Sequence, residues 1–249
     1  MLSYIHEHLY EPLTLAQLAG HISYSRYHFA RLFKKATGLS PLYYVSSLRL
    51  QKAKDLLLHT NLSVRDIGME IGQQSLGTFT TRFTEKVGLT PVQFRHSCEK
   101  VSEQMELLQQ LNVWRDESSF SNPYLKVEGM IDSSEQFEGF VLVGLFAKPI
   151  PEGLPLYGTL LSNVGTFSFI DVKPGIYYLM ATSIQWGMAA ADILLPHTTL
   201  RAKDNQPIVI TGERHVHYKR LTLRPPKLED PPILISLPVL MNRFLQREI

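Results

Sequence analysis

Apolar residues three or four positions apart mark out the first hundred residues, and the same marks occur twice. Leu18, Ala19 and Ile22 return about fifty residues later as Ile67, Gly68 and Ile71. Beyond a one-residue insertion near Gln73, the run Ser25, Phe29, Phe33, Gly38, Leu39, Pro41 returns as Ser75, Phe79, Phe83, Gly88, Leu89, Pro91. Apolar positions at this spacing, with a capping Ser in front and a Gly behind, define a short helix with both ends specified. The pattern predicts paired helices at 15–21 and 26–36, and again at 64–71 and 75–87. Thr14 with Gln17, and Ser63 with Asp66, have capping-box spacing. Phe29, Leu32 and Phe33 form the apolar face of the 26–36 helix. Ser40 and Pro41 place a cap and a first-turn proline at the head of a long helix to about His59, with Val45, Leu48, Ala53, Leu56 and Leu57 as its buried stripe. Thr90, Pro91 and Gln93 open a closing helix.

The period then changes. Val101, Met105, Leu108 and Leu111 fall three or four apart among Glu and Gln, an amphipathic connecting helix, and the polar run 116–122 reads as a boundary. Beyond it, alternation at period two predicts strands at 124–131, 140–146, 166–170, 176–183, 208–211 and 216–223. Turn signals at 151–153, 163–165, 173–175 and 211–213 separate them. Short strands at such spacing imply a β-sandwich. Pro225, Pro226, Pro231 and Pro232 hold an extended tail, and 238–247 suits one short helix. The fold class is therefore multi-domain: an all-α domain at 1–97, a connecting helix and linker at 98–122, and an all-β sandwich at 123–249.

With 249 residues the chain suits two domains. Its formal charge of +2 hides an asymmetry: residues 1–97 hold eleven Lys/Arg against six Asp/Glu, residues 98–249 fourteen against seventeen. The first part suits a polyanion and the second does not. Cys98 is the only cysteine, which rules out an intrachain disulfide and points to a reducing compartment. With neither a charged-then-apolar leader nor an apolar run near the ~20 residues of a membrane helix, the expectation is a soluble, cytoplasmic protein with no membrane contact.

The stretches from Leu48 to Leu57, Ser63 to Gly68, Phe79 to Phe83, and Gly88 to Arg95 follow one another in an order and spacing that, over some eighty residues, resemble the DNA-binding domain of the AraC/XylS family of bacterial transcription regulators. That resemblance implies a double helix-turn-helix, with double-stranded DNA and RNA polymerase as partners. The long helix, at ~1.5 Å per residue, spans roughly 27 Å and would hold the two units close to one DNA turn, about 34 Å, apart. The resemblance places Tyr27, Ala30 and Arg31 where bases are read, with Arg31 suited to bidentate contact with guanine and Tyr27 to a thymine methyl. Arg26, Lys34 and Lys35 suit phosphates, as do Arg82 and Lys86 in the second unit. The second reading face holds Leu76, Gly77, Thr80 and Thr81, with no long donor before Arg82. Gly77 weakens that helix by about 0.5 to 1 kcal/mol relative to Ala. Where the family usually has Gly-Phe after the first helix of this unit, the chain has Gly72 and Gln73. The first unit should therefore dominate sequence choice.

The carboxyl-terminal half resembles the transthyretin-like sandwich found as a regulatory module in carboxypeptidases, through 127–131, 141–146 and the strand-turn-strand at 165–179. That resemblance implies a fold and leaves the ligand open. Tyr157, Tyr177, Tyr178 and Trp186 are candidates for an effector pocket, although aromatics at period two also suit a core. His215 and His217, with His197, have a chelating spacing but no matching thiol or carboxylate, so no metal and no cofactor are expected. No nucleophile, base and orienting residue fall at a recognisable spacing, so no enzymatic activity is expected. A small-molecule effector and a second copy of the chain stay open as partners. So does a different class of function, an interaction protein with loose, non-specific DNA binding and a sandwich that takes protein or carbohydrate.

Overall fold

The computed structural model describes residues 1–73, 75–111, 114, 125–211 and 215–248. Its first elements are α1 (Leu2–Glu7), α2 (Leu15–His21), α3 (Arg26–Thr37), α4 (Pro41–His59), α5 (Val64–Glu70), α6 (Leu76–Val87) and α7 (Pro91–Arg95). Of these, α2, α3, α5, α6 and α7 begin where a side-chain cap is made. Thr14 Oγ1 accepts from the Gln17 amide at 3.2 Å while the Gln17 side chain accepts from the Thr14 amide at 2.8 Å, a complete capping box. Ser25 and Ser75 accept from the amides of His28 and Thr78, and Gly38 and Gly88 end their helices at φ 82°. Two caps differ from the spacing argument. Asp66 takes the Ser63 hydroxyl at 2.6 Å instead of the Ser63 amide, so that box is half made. Ser40 makes no side-chain cap, because the fixed φ of Pro41 starts α4 without one.

The duplication is also a duplication of packing. Phe29 meets Phe33 edge-on at 5.6 Å and Phe33 meets Tyr44 at 5.5 Å; fifty residues on, Phe79 meets Phe83 and Phe83 meets Phe94, each at 5.7 Å. These edge-to-face contacts sit in buried positions, where each aromatic pair adds ~0.5 to 1.5 kcal/mol beyond its area. The turns after α2 and α5 match as well. Tyr24 N donates to Ala19 O at 3.0 Å, and Gln73 N donates to Gly68 O at 2.8 Å. The left-handed residue is Ser23 (φ 56°) in one and Gly72 (φ 77°) in the other. Only glycine takes that conformation without a steric penalty of roughly 1 to 2 kcal/mol. Ser23→Gly should therefore raise the unfolding free energy by about 1 kcal/mol in urea titrations, and no gain would sink this explanation of the turn.

By compactness the chain divides into two units, the first comprising Met1–Ser97 together with Pro149–Gly153 and Lys227–Ile235. The two short segments explain why α4 buries more than one stripe. Besides Val45, Leu48, Ala53 and Leu57, it buries Tyr44, Ser47, Leu50 and Lys54, while Leu56 is only half-buried. Tyr44 donates its hydroxyl to Leu228 O at 3.0 Å and Lys54 donates to Ile233 O at 3.1 Å. Ile150, Ile233, Leu234 and Ile235 are buried in turn. Leu32, placed on the apolar face of α3 by spacing, is 38% exposed.

The second unit comprises Cys98–Lys148, Leu154–Pro226 and Ser236–Ile249. Its elements are α8 (Cys98–Gln110), β1 (Leu125–Ser133), β2 (Gly139–Phe146), β3 (Tyr157–Leu161), β4 (Gly165–Phe169), β5 (Gly175–Gln185), α9 (Ala190–Leu194), β6 (Arg201–Lys203), β7 (Ile208–Ile210), β8 (His215–Leu223) and α10 (Leu237–Glu248). The order β4-β1-β8 makes a three-stranded sheet and β3-β2-β5-β6 the path of a second, with β7 also on β5. Pairing is antiparallel except between β1 and β8, which run parallel from Leu125↔His215 to Ser133↔Leu223. Val127, Val143, Phe167, Leu179, Ile208 and Leu223 belong to one cluster shared by both sheets. β2 is buried on both faces, because Phe140 packs on Trp114 and Trp186, and Trp114 on Phe244 of α10. The unit therefore adds α8, α9 and α10 to its strands. The 116–122 boundary falls outside the described residues.

Candidate nucleic-acid interface

α3 owes its place to Phe29 and Phe33, which fix one face inward and so present the opposite one. On that face Tyr27 is 81% exposed, Arg26, Arg31, Lys34 and Lys35 are exposed, and Ala30 is half-buried. None of the four cations has a hydrogen bond or ion pair among the described residues, and α3 carries no carboxylate. An exposed helix face bearing four cations and a free aromatic is complementary to the phosphates and base edges of a major groove. Tyr24, at the head of the helix, is also exposed and lies edge-on to His28 at 4.9 Å. Tyr24 precedes the Ser25 cap and so lies outside the apolar spacing that marks the helix, which left no signal for it in the sequence.

α6 is built the same way and presents different chemistry. Phe79, Phe83 and Val87 are buried, leaving Leu76 48% exposed, Gly77 and Thr81 exposed and Thr80 half-buried. Arg82 is exposed, with Gln73 Oε1 at 3.5 Å. Lys86 is placed otherwise than its charge suggests: its ammonium bonds Glu152 Oε2 at 2.5 Å and Tyr43 Oη at 2.7 Å, and its side chain is 16% exposed. An ammonium committed in this way is not presented to a phosphate. The outward faces of α3 and α6 are thus unequal in charge and in hydrogen-bonding reach.

The four aromatics singled out in the second unit do not converge on one pocket. Tyr157 and Tyr177 meet edge-on at 5.9 Å; the Lys173 amide donates to Tyr157 Oη at 3.0 Å, and Tyr177 gives its hydroxyl to Lys173 O at 2.7 Å. They pin the turn before β5, with Tyr177 buried in the core cluster. Tyr178, next along the strand, points to the other face, as alternation requires. Trp186 follows the far end of β5, where with Asp132, Glu135, Glu138 and Asn163 it lines an open cleft of about 840 Å³. Of the chelating pair His215 and His217, the His215 side chain lies outside the described residues. Among the described residues no helix is long and apolar enough to cross a membrane.

Residues 18–97 match the helix-turn-helix domain family. The chain is 38% identical over 96 residues to the transcriptional regulator YobQ of Bacillus subtilis (strain 168), covering 39% of this chain and 40% of YobQ. It is 38% identical over 92 residues to the bifunctional transcriptional activator/DNA repair enzyme AdaA of the same organism, covering 37% of this chain and 44% of AdaA. The chain thus spans less than half the length of these relatives. Among solved structures, a transcriptional regulator with an AraC-type DNA-binding domain from Chromobacterium violaceum aligns at 31% identity and TM-score 0.37, over 39% of this chain and 86% of that one. Residues 18–97 are thus similar to a helix-turn-helix domain, and the relatives aligned over this stretch are named as transcription regulators.

Proposed function

We propose that this chain is a transcription regulator that binds double-stranded DNA in a sequence-specific way, with α3 as its principal base-reading helix. The observation that carries the reading is the outward face of α3, where Tyr27 and Arg31 stand exposed between Arg26, Lys34 and Lys35. Arg31 has the length and planar donor fork for bidentate contact with a guanine, and Tyr27 offers an apolar edge to a thymine methyl. Lys34 and Lys35, in the last turn, hold phosphates and set the register. α6 serves as the weaker clamp, because Leu76, Gly77, Thr80 and Thr81 supply no long donor. The relatives' description as transcription regulators supports the same reading.

Salt titration of binding tests it. Each phosphate neutralised contributes a slope of about −0.9 in log K against log salt. Lys34→Ala combined with Lys35→Ala should lower the slope by up to about two and weaken all duplexes alike, leaving base preference intact. An unchanged slope would remove the two lysines from the interface.

A further inference from the structure

α6 is gripped at its carboxyl-terminal turn by a segment that lies outside the helical repeat. The Lys86 ammonium bonds Glu152 Oε2 at 2.5 Å and Tyr43 Oη at 2.7 Å, the Tyr43 hydroxyl donates to Glu152, and the ammonium sits 4.2 Å from the centre of the Tyr43 ring. The backbone of the same residue is also held: Gly153 N donates to Lys86 O at 2.7 Å, satisfying one of the carbonyls a helix end leaves open. Gly153 has φ +63°, and a Cβ there would come within 3.1 Å of Glu85 O, so the close approach favours glycine. With side-chain exposures of 16% and 7%, Lys86 and Glu152 form a largely desolvated pair, in which removing one partner strands the other.

This segment has its own anchorage. Pro151 O accepts from the amides of Leu234 and Ile235 at 2.9 and 3.1 Å, and that second stretch gives its Leu228 and Ile233 carbonyls to Tyr44 and Lys54 of α4. Tyr43, Tyr44 and Lys54 of α4 are thereby joined to Lys86 of α6 through two segments distant in sequence. Along the chain, Pro149–Gly153 connects β2 to β3, and Lys227–Ile235 connects β8 to α10. α3 has no such grip: its last-turn Lys34 and Lys35 are exposed, with no partner among the described residues.

We propose that Glu152, with Gly153, is a positioning residue for the second helix-turn-helix: it fixes the orientation of α6 against α4 and so determines whether the second half of a DNA site is read together with the first. The assignment of half-sites rests on the DNA-reading role given to α3 and α6 above. The clasp itself does not depend on that role.

Hydrogen exchange on the full chain tests the clasp. In Glu152→Ala the amides of α6 should exchange about tenfold faster, while those of α3 keep their protection. Equal acceleration in both helices, or none in α6, overturns the proposal. Lys86→Met, which removes the other partner of the same pair, should reproduce the α6-specific change. Footprinting on duplexes selected by the parent protein tests the consequence: Glu152→Ala should keep the half protected by α3 and lose the half protected by α6. An undisturbed footprint overturns the positioning role, whereas failure of the parent protein to select any duplex would count against the DNA-reading proposal and leave the exchange result to judge the clasp.

Discussion

Arg31→Ala is expected to erase most of the preference at one base pair of the selected site, a loss of about 1 to 3 kcal/mol of discrimination, while leaving the fold intact. The fold is spared because Arg31 is exposed and bonds none of the described residues, and surface substitutions of that kind usually stay within ~0.5 kcal/mol. Under the proposed reading the effect is confined to one position, because a guanidinium at Arg31 would read a single base edge, whereas Lys34 and Lys35 would act on phosphates at every sequence. Thr81→Ala makes the contrast. Thr81 is exposed on α6 with a short side chain and one hydroxyl, so its loss should shift base preference little. Binding of each variant to a panel of single-base-substituted duplexes decides the matter, and a larger change of preference in Thr81→Ala than in Arg31→Ala would reverse the assignment of strong and weak reader.

The second large effect concerns Lys54, 1% exposed on α4 with Ile233 O at 3.1 Å and the Phe94 ring centre at 5.4 Å. Burial pushes its ammonium down to about 7, against a smaller opposing pull from Asp55. In the unfolded chain the group returns to a pKa of about 10.4. Between those values the unfolded state binds the extra proton, so stability should rise with pH from about 7 upward, by up to about 1.4 kcal/mol per unit, and fall as pH is lowered toward 7. Tyr44, pushed up to about 12 chiefly by burial, stays neutral through this window and adds no opposing slope below about pH 9.5. Urea unfolding followed by circular dichroism at pH 7 and pH 9 should show this rise in the parent chain. Lys54→Met should flatten it and be the more stable protein at pH 7. A parent chain with no rise would contradict the burial of the charge.

The duplicated helices were legible because their signals are local. Ser25, Gly38, Ser75 and Gly88 each act within one turn of the chain, and Phe29/Phe33 and Phe79/Phe83 mark a buried face at period four. Strands such as β2 and β5 were legible as strand-like runs set off by turn signals. β3 was not, since Gly158 breaks its apolar run, and the three residues of β6 are too short to show a period. α1 escaped because its one fully buried residue, Ile5, makes no pattern. The parallel pairing of β1 with β8 joins residues ninety apart, such as Leu125 and His215, and no local rule encodes it. The prolines near 151 and 231 read as turn and tail, yet Pro151 and Ile233 take part in the packing around α4, because a carbonyl that no strand uses remains free to accept from Lys54 or from a backbone amide.

The candidate interface divides along the same line. The exposed cations of α3 were visible from charge and helical spacing, and the structure leaves them facing outward. Lys86 carried the same charge signal, but its partner Glu152 lies sixty-six residues away, so its engagement was invisible to spacing. The aromatics of the second unit failed as a group for a geometric reason: adjacent residues on a strand, such as Tyr177 and Tyr178, face opposite sides.

Selection of bound duplexes from a random pool, at physiological salt, puts the DNA-reading proposal to the test. If α3 reads bases, the pool should converge on one motif whose most constrained position is the one relaxed in Arg31→Ala, with a second, looser half about one helical turn away. A pool that stays random, with every sequence losing affinity alike as salt rises, would contradict it.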